Sequence, residues 1–261
     1  MNRIYKKNEV TFAIIMIVIY VIGTSLVESI SESLGTGKLI PAIFHVIFTG
    51  SILIWVKKNG LEEKYGLSIP KYNPVRAWFF IPLIVVACFG LLAGVEAQYS
   101  AVESIFFVIS MMCVGFLEEI IFRGFLFVGM ASKNIKSAII VSSITFGIGH
   151  IVNLFNGKNL FETLMQIVFA IAVGFVLVIL FYRGKSLLPC IVFHGINNSL
   201  SAFEKTNTEV AGMISMSEEQ FELVYICVLV AILVLYGIVL YKNLSCIEEK
   251  DGVKGYSGSD K

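Results

Sequence analysis

Long apolar runs separated by short polar stretches set the rhythm of this chain. Eight segments are apolar over a membrane-crossing length, near Val10–Val27, Leu39–Val56, Ala77–Gly94, Ser104–Met130, Ser137–Phe155, Leu160–Tyr182, Ser186–Phe203 and Phe221–Tyr241. Crossing the hydrocarbon core takes about 20 helical residues, because every backbone polar group must find its partner within the chain. The pattern predicts an all-α, polytopic membrane helix bundle of about eight transmembrane helices. The fourth run is long enough to tilt or protrude. The seventh is the weakest, since it holds His194, Asn197 and Asn198.

Loop charge gives these spans a direction. With eight alternating helices, one side collects Arg3, Lys6, Lys7, Lys57, Lys58, Lys64, Lys71, Arg76, Lys133, Lys136, Arg183, Lys185, Lys242, Lys250, Lys254 and Lys261. The other side holds only Lys38, Lys158 and Lys205, and Arg123 lies inside a span. The positive-inside rule then predicts both termini in the cytoplasm. The basic start before the first run resembles a signal peptide. That run, however, exceeds a signal core of about 7–15 residues and lacks a small-x-small cleavage site, so it is read as a retained span.

Composition agrees with this picture. Of the 261 residues, 57% are hydrophobic and 15% charged, against about 25% charged in soluble domains. Much of the surface must therefore face lipid, which makes the cell membrane the expected location. A net charge of +1 points to no nucleic-acid partner. The expected organisation is one membrane-embedded domain over residues 1–245, a catalytic core at about 104–203, and a disordered cytoplasmic tail at 246–261. The 57–76 loop, with Pro70 and Pro74, has room for a short interfacial segment, and the outer loop 204–220 is acidic and polar. The first four of Cys88, Cys113, Cys190, Cys227 and Cys246 sit in apolar runs without a CxxC pair. They read as buried fillers rather than a disulfide or zinc framework.

Against this apolar background a few strongly polar residues stand out. Charged groups at the bilayer centre cost roughly 2.5–3.5 kcal/mol each on insertion scales and mark functional sites. They are Glu118, Glu119 and Arg123 in the fourth run, His150 in the fifth, and His194, Asn197 and Asn198 in the seventh, with His45 and Gln166 isolated. Glu119 and Arg123 are four apart and share a helix face, which suits an ion pair. Glu118 lies about 100° around the helix, without a local cation, as a general base requires. His194 and Asn198 repeat the four-residue spacing, so an imidazole and a carboxamide can both donate to a developing oxyanion. His150 follows Phe146-Gly-Ile-Gly, where two glycines allow a close approach, and it can help position or deprotonate a water. Structural readings stand beside these: His45 as an interhelical hydrogen-bond partner, Glu119–Arg123 as packing glue, Asn197 as a packing amide.

At these residues the chain resembles the CAAX-protease and bacteriocin-processing (CPBP) family of intramembrane endopeptidases, which includes the CAAX prenyl protease 2-like and Abi proteins. The family motifs EExxxR, FxxxH and HxxxN/D stand here as Glu118-Glu119-Ile-Ile-Phe-Arg123, Phe146-Gly-Ile-Gly-His150 and His194-Gly-Ile-Asn-Asn198. The resemblance covers roughly residues 105–200. It implies that Glu118, assisted by His150, activates a water that attacks the scissile carbonyl. His194 and Asn198 would form the oxyanion hole, and Glu119 and Arg123 would brace the site.

The resemblance leaves open whether zinc is bound. Glu118, His150 and His194 would be its ligands, but no HExxH is present, and the expectation favours hydrolysis without an obligatory metal. It also implies a peptide or protein partner within membrane lipid, with peptide maturation or bacteriocin self-immunity as roles. The oligomeric state is unspecified. A Lys-, Ile- and Asn-rich composition, weakly suggestive of an AT-rich bacterial genome, favours a peptide or small membrane protein over a prenylated substrate. Two readings from other classes remain open at this point: a transporter or proton/ion relay, and a non-catalytic peptide-binding immunity protein.

Overall fold

The computed structural model describes residues 1–68 and 81–251. It is a helical bundle, and among the described residues the only β-type contact is an isolated bridge between Val95 and Glu204. The helices are α1 (Asn2–Lys7), α2 (Glu9–Leu34), α3 (Leu39–Lys58), α4 (Ile81–Ala87), α5 (Ala101–Glu118), α6 (Val128–Ala131), α7 (Ile135–Ile148), α8 (Leu160–Gly184), α9 (Leu188–Leu200), α10 (Asn207–Met213) and α11 (Glu218–Asp251). Several starts, though not those of α1, α3, α6 and α9, are capped by side-chain oxygens: Asn8 accepts from Thr11 N at 3.0 Å and Asn134 from Ser137 N at 2.9 Å. Such caps satisfy first-turn amides that lack intrahelical partners.

Six of the expected runs form helices long and apolar enough to cross a membrane: Glu9–Leu34, Leu39–Lys58, Ala101–Ala131, Ile135–Leu154, Leu160–Gly184 and Glu218–Leu240. The chain is a multi-pass membrane protein. Ile14, Val18, Ile22 and Leu26 form an exposed stripe along α2, as expected of a lipid-facing surface. The span Ala101–Ala131 is the centre of the bundle, with 61% of its apolar window buried against 22–44% for the others. The α3 and α9 helices pack on α5, α2 and α7 pack on the residues just after it, and α8 and α11 lie side by side outside them.

Two expected spans take a different form. Residues 77–80 of the third, like Pro70, Pro74, Lys71 and Arg76, lie outside the described residues. The rest of that run forms the short α4 and then a 3-10 turn, Gly90–Ala93. The seventh is the 13-residue α9, about 20 Å long at 1.5 Å per residue, and short of a bilayer core of about 30 Å. It is sheltered by α5, where a Cβ on Gly115 would lie 2.5 Å from the backbone nitrogen of Gly195. Small residues at the crossing let the two backbones meet.

Other expectations are corrected in detail. The fifth span is not one α-helix to Phe155, because α7 stops at Ile148 and a tighter 3-10 segment, Gly149–Leu154, continues it. The loop 204–220 contains α10, started by a reciprocal Thr206–Glu209 capping box. Helix α11 runs to Asp251, so residues 246–251 are helical rather than a disordered tail, and 252–261 lie outside the described residues. Among the described cysteines only Cys190 is a buried thiol; Cys113 is half-buried and Cys88 and Cys227 are exposed, because an outward position on a lipid-facing helix is equally suited to a small apolar side chain. The side chain of Cys246 lies outside the described set.

Loops assigned by charge to one side do meet at one end. Trp55 Nε1 donates to Asn2, Lys64 to Glu9, and Leu187 N to Gly66 O at 2.8 Å. At the opposite end Glu96 N donates to Phe203 O and Gln98 N to Ala202 O, each at 2.9 Å.

Candidate active site

The central helix changes its winding where its charges begin. After Glu118 the chain adopts a π-helix from Glu119 to Phe127, and all nine residues are buried. Wider i→i+5 winding of this kind gathers at functional sites. Ser142 of α7 anchors the stretch by donating to the carbonyl of Phe122 at 2.9 Å. Within it Glu119 and Arg123 do pair, with Arg123 Nη1 donating to Glu119 Oε1 at 3.1 Å. The guanidinium also lies over the Phe146 ring, 4.1 Å from its centroid, a cation–π placement. Both residues are fully buried.

His194 stands between the two glutamates. Its Nδ1 is 2.8 Å from Glu119 Oε1 and its Nε2 is 3.2 Å from Glu118 Oε2. The first contact is an aligned hydrogen bond. The second is a close approach off the N–H line, which leaves Glu118 Oε2 without an aligned donor. An ionised carboxylate only accepts, so both contacts become hydrogen bonds only when both ring nitrogens carry hydrogen. Two carboxylates are thus met by one guanidinium and one imidazole, the balance that buried charge demands. Phe146 stacks edge-on against His194 at 5.6 Å between centroids.

Helix α2 supplies a residue that sequence reasoning passed over. Tyr20, buried on the first span, donates its hydroxyl to Glu118 Oε1 at 2.6 Å. A tyrosine in an apolar run carries no spacing signal, and its partner lies 98 positions away. Nothing in the local pattern could have found it.

His150 reaches the site from the 3-10 segment. A cavity of about 100 Å³ beside Glu118 is lined by Tyr20, Thr24, Phe146, His150 and Asn153 among others. Glu118 and His150 therefore share one chamber, and His194 touches the same carboxylate. Of the two glycines ahead of His150, Gly147 is the tight one. A Cβ there would collide with Ile171 of α8, whereas at Gly149 it would meet only Phe122 at 3.9 Å. Asn198, one turn after His194, is half-buried, and its Oδ1 accepts from Asn197 at 3.5 Å.

The two other polar residues stand one partner back from this chamber, bonded to its lining residues Thr24 and Asn153. His45 is fully buried between Ser110 Oγ at 2.8 Å and Thr24 Oγ1 at 3.1 Å, bonded across three helices. Gln166 accepts from Asn153 at 2.7 Å.

Among the described residues no three His, Cys, Asp or Glu side chains are grouped to hold a metal ion. Both nitrogens of His194 are turned to carboxylates.

Residues 100–200 match the family model described as type II CAAX prenyl endopeptidase Rce1-like. No curated protein and no solved structure matches the chain. The matched segment runs from the cap of α5 to the end of α9, and it supplies every charged or imidazole group of the cluster. This stretch of the chain is similar to the CAAX-type prenyl endopeptidases that the family model describes.

Proposed function

We propose that the protein hydrolyses a peptide bond of a membrane-associated peptide or small protein, using a water activated by Glu118. One observation carries the reading. Glu118 and His194 are in contact inside an apolar bundle, and His150 opens onto the same small chamber.

In this scheme Glu118 takes a proton from water held between it and His150, and the oxygen attacks the scissile carbonyl; as the tetrahedral intermediate collapses the C–N bond breaks and Glu118 returns that proton to the departing amine nitrogen. Tyr20 grips the other carboxylate oxygen and fixes its direction. His194 turns Nε2–H from Glu118 towards the developing oxyanion, while Glu119 holds Nδ1 and so orients the ring. Asn198 lies one turn along α9 and supplies the second donor. Arg123 pairs with Glu119 and stacks on Phe146, which holds that carboxylate in place. No step is routed through a metal. Maturation of a secreted peptide, or self-immunity against a bacteriocin, are the cellular roles such chemistry would serve at the cell membrane.

The test is a quenched fluorescent peptide library presented to purified full-length protein in detergent. Wild type should cleave and should keep cleaving after chelation, while Glu118→Gln should not. Equal cleavage by wild type and Glu118→Gln would sink the reading, and loss on chelation restored by zinc would overturn its metal-free form.

A further inference from the structure

A second and larger cavity, of about 790 Å³, opens at the basic end of the bundle. No residue lines both it and the chamber beside Glu118. It lies where the start of α2, the turn after α3, the α6–α7 turn and the end of α8 come together. Its volume is within the roughly 300–1,000 Å³ usual for small-molecule sites.

The lining combines two chemistries. Phe127 and Tyr182 give it aromatic walls, and Lys7, Lys64, Lys133 and Lys185 surround them, against Glu9 and Glu63 alone. Lysines thus outnumber glutamates in the lining four to two, with Lys64 paired to Glu9. Lys185 adds a separate argument. It caps α8 in the left-handed conformation at φ 53°, where glycine is the usual and cheaper occupant. Its ammonium lies 4.5 Å from the centroid of the Tyr182 ring. A charged side chain is thus held beside an aromatic wall despite a backbone cost that glycine would remove.

The charge bias assigns this end to the cytoplasmic face, where the leaflet is rich in anionic lipid. We propose that the cavity binds the head group of an anionic phospholipid. Its phosphate lies among Lys7, Lys133 and Lys185, and its first acyl carbons lie against Phe127 and Tyr182. A lipid held there would fix how deeply the bundle sits in the bilayer.

Native mass spectrometry of the full-length protein in non-ionic detergent tests this, with dioleoyl phosphatidylglycerol and dioleoyl phosphatidylcholine offered in equal amounts. Phosphatidylglycerol should be retained preferentially, and millimolar inorganic phosphate should not displace it. Lys133→Gln and Lys185→Gly should each weaken retention about fivefold, the value of one interfacial lysine. Lys185→Gly also relaxes the left-handed cap, so its melting temperature should hold or rise, and weakened binding cannot then be ascribed to misfolding. Equal retention of the two lipids, wild-type retention by both variants, or displacement by free phosphate would each overturn the proposal.

Discussion

Two histidines lie deep in this bundle, and their surroundings separate a structural polar cluster from a chemical one. His45 is flanked by two hydroxyls, Thr24 and Ser110. Hydroxyls donate or accept, so a neutral ring is satisfied without any charge entering the membrane. His194 is flanked by two carboxylates, one of which also binds an arginine. That cluster carries several charges in an apolar interior, a cost expected only where the charges serve a function. The lesson is that an intramembrane histidine is classified by its partners, and those come from other helices.

The comparison can be broken most sharply at Glu118. Glu118→Gln should lower turnover by about 10²–10⁴-fold, the usual worth of a general base, while leaving the melting temperature in detergent nearly unchanged. His45→Gln, assayed beside it, should keep turnover within a few-fold; equal losses would erase the distinction between the clusters. Arg123→Ala probes the charge balance. It strips the cation from fully buried Glu119 and should cost about 3–5 kcal/mol of stability, the penalty for orphaning a buried charge, read as a large fall in melting temperature.

Smaller effects sharpen the contrast. Tyr20→Phe removes a hydrogen bond to a charged group, worth about 1.5–3 kcal/mol. It should reduce kcat by about tenfold or more with little change in KM, and an unchanged kcat would make Tyr20 a packing residue only. Ser110→Ala should be mildest. It removes a neutral bond to His45, costing about 0.5–1.5 kcal/mol of stability, with peptide cleavage unaffected.

Much of the site was legible because motif spacing and helix period coincide. Glu119 and Arg123 meet as a four-residue interval predicts, even though the winding between them is π rather than α. The interval did not reveal that winding, because a wider turn still brings residues four apart together. The role of α9 was harder to read. Hydropathy marks a poor span there, and only the Gly115–Gly195 crossing shows why a short polar helix is sheltered inside the bundle. His194 was read as facing a substrate oxygen, yet in the structure both its nitrogens face carboxylates, a relation between separate helices with no local signature.

The amino-acid order by itself determined that this chain lives in a membrane, six of the eight segments it marks as spans, and which few residues are too polar to be there by chance. These are local properties, set by transfer energies and helical period. Tertiary structure alone decided that Tyr20 holds Glu118, that His194 joins both glutamates, and that His45 is met by hydroxyls instead of carboxylates. Each of those outcomes depends on how helices rotate and cross, which is settled by packing summed over the whole bundle rather than by any one stretch of it.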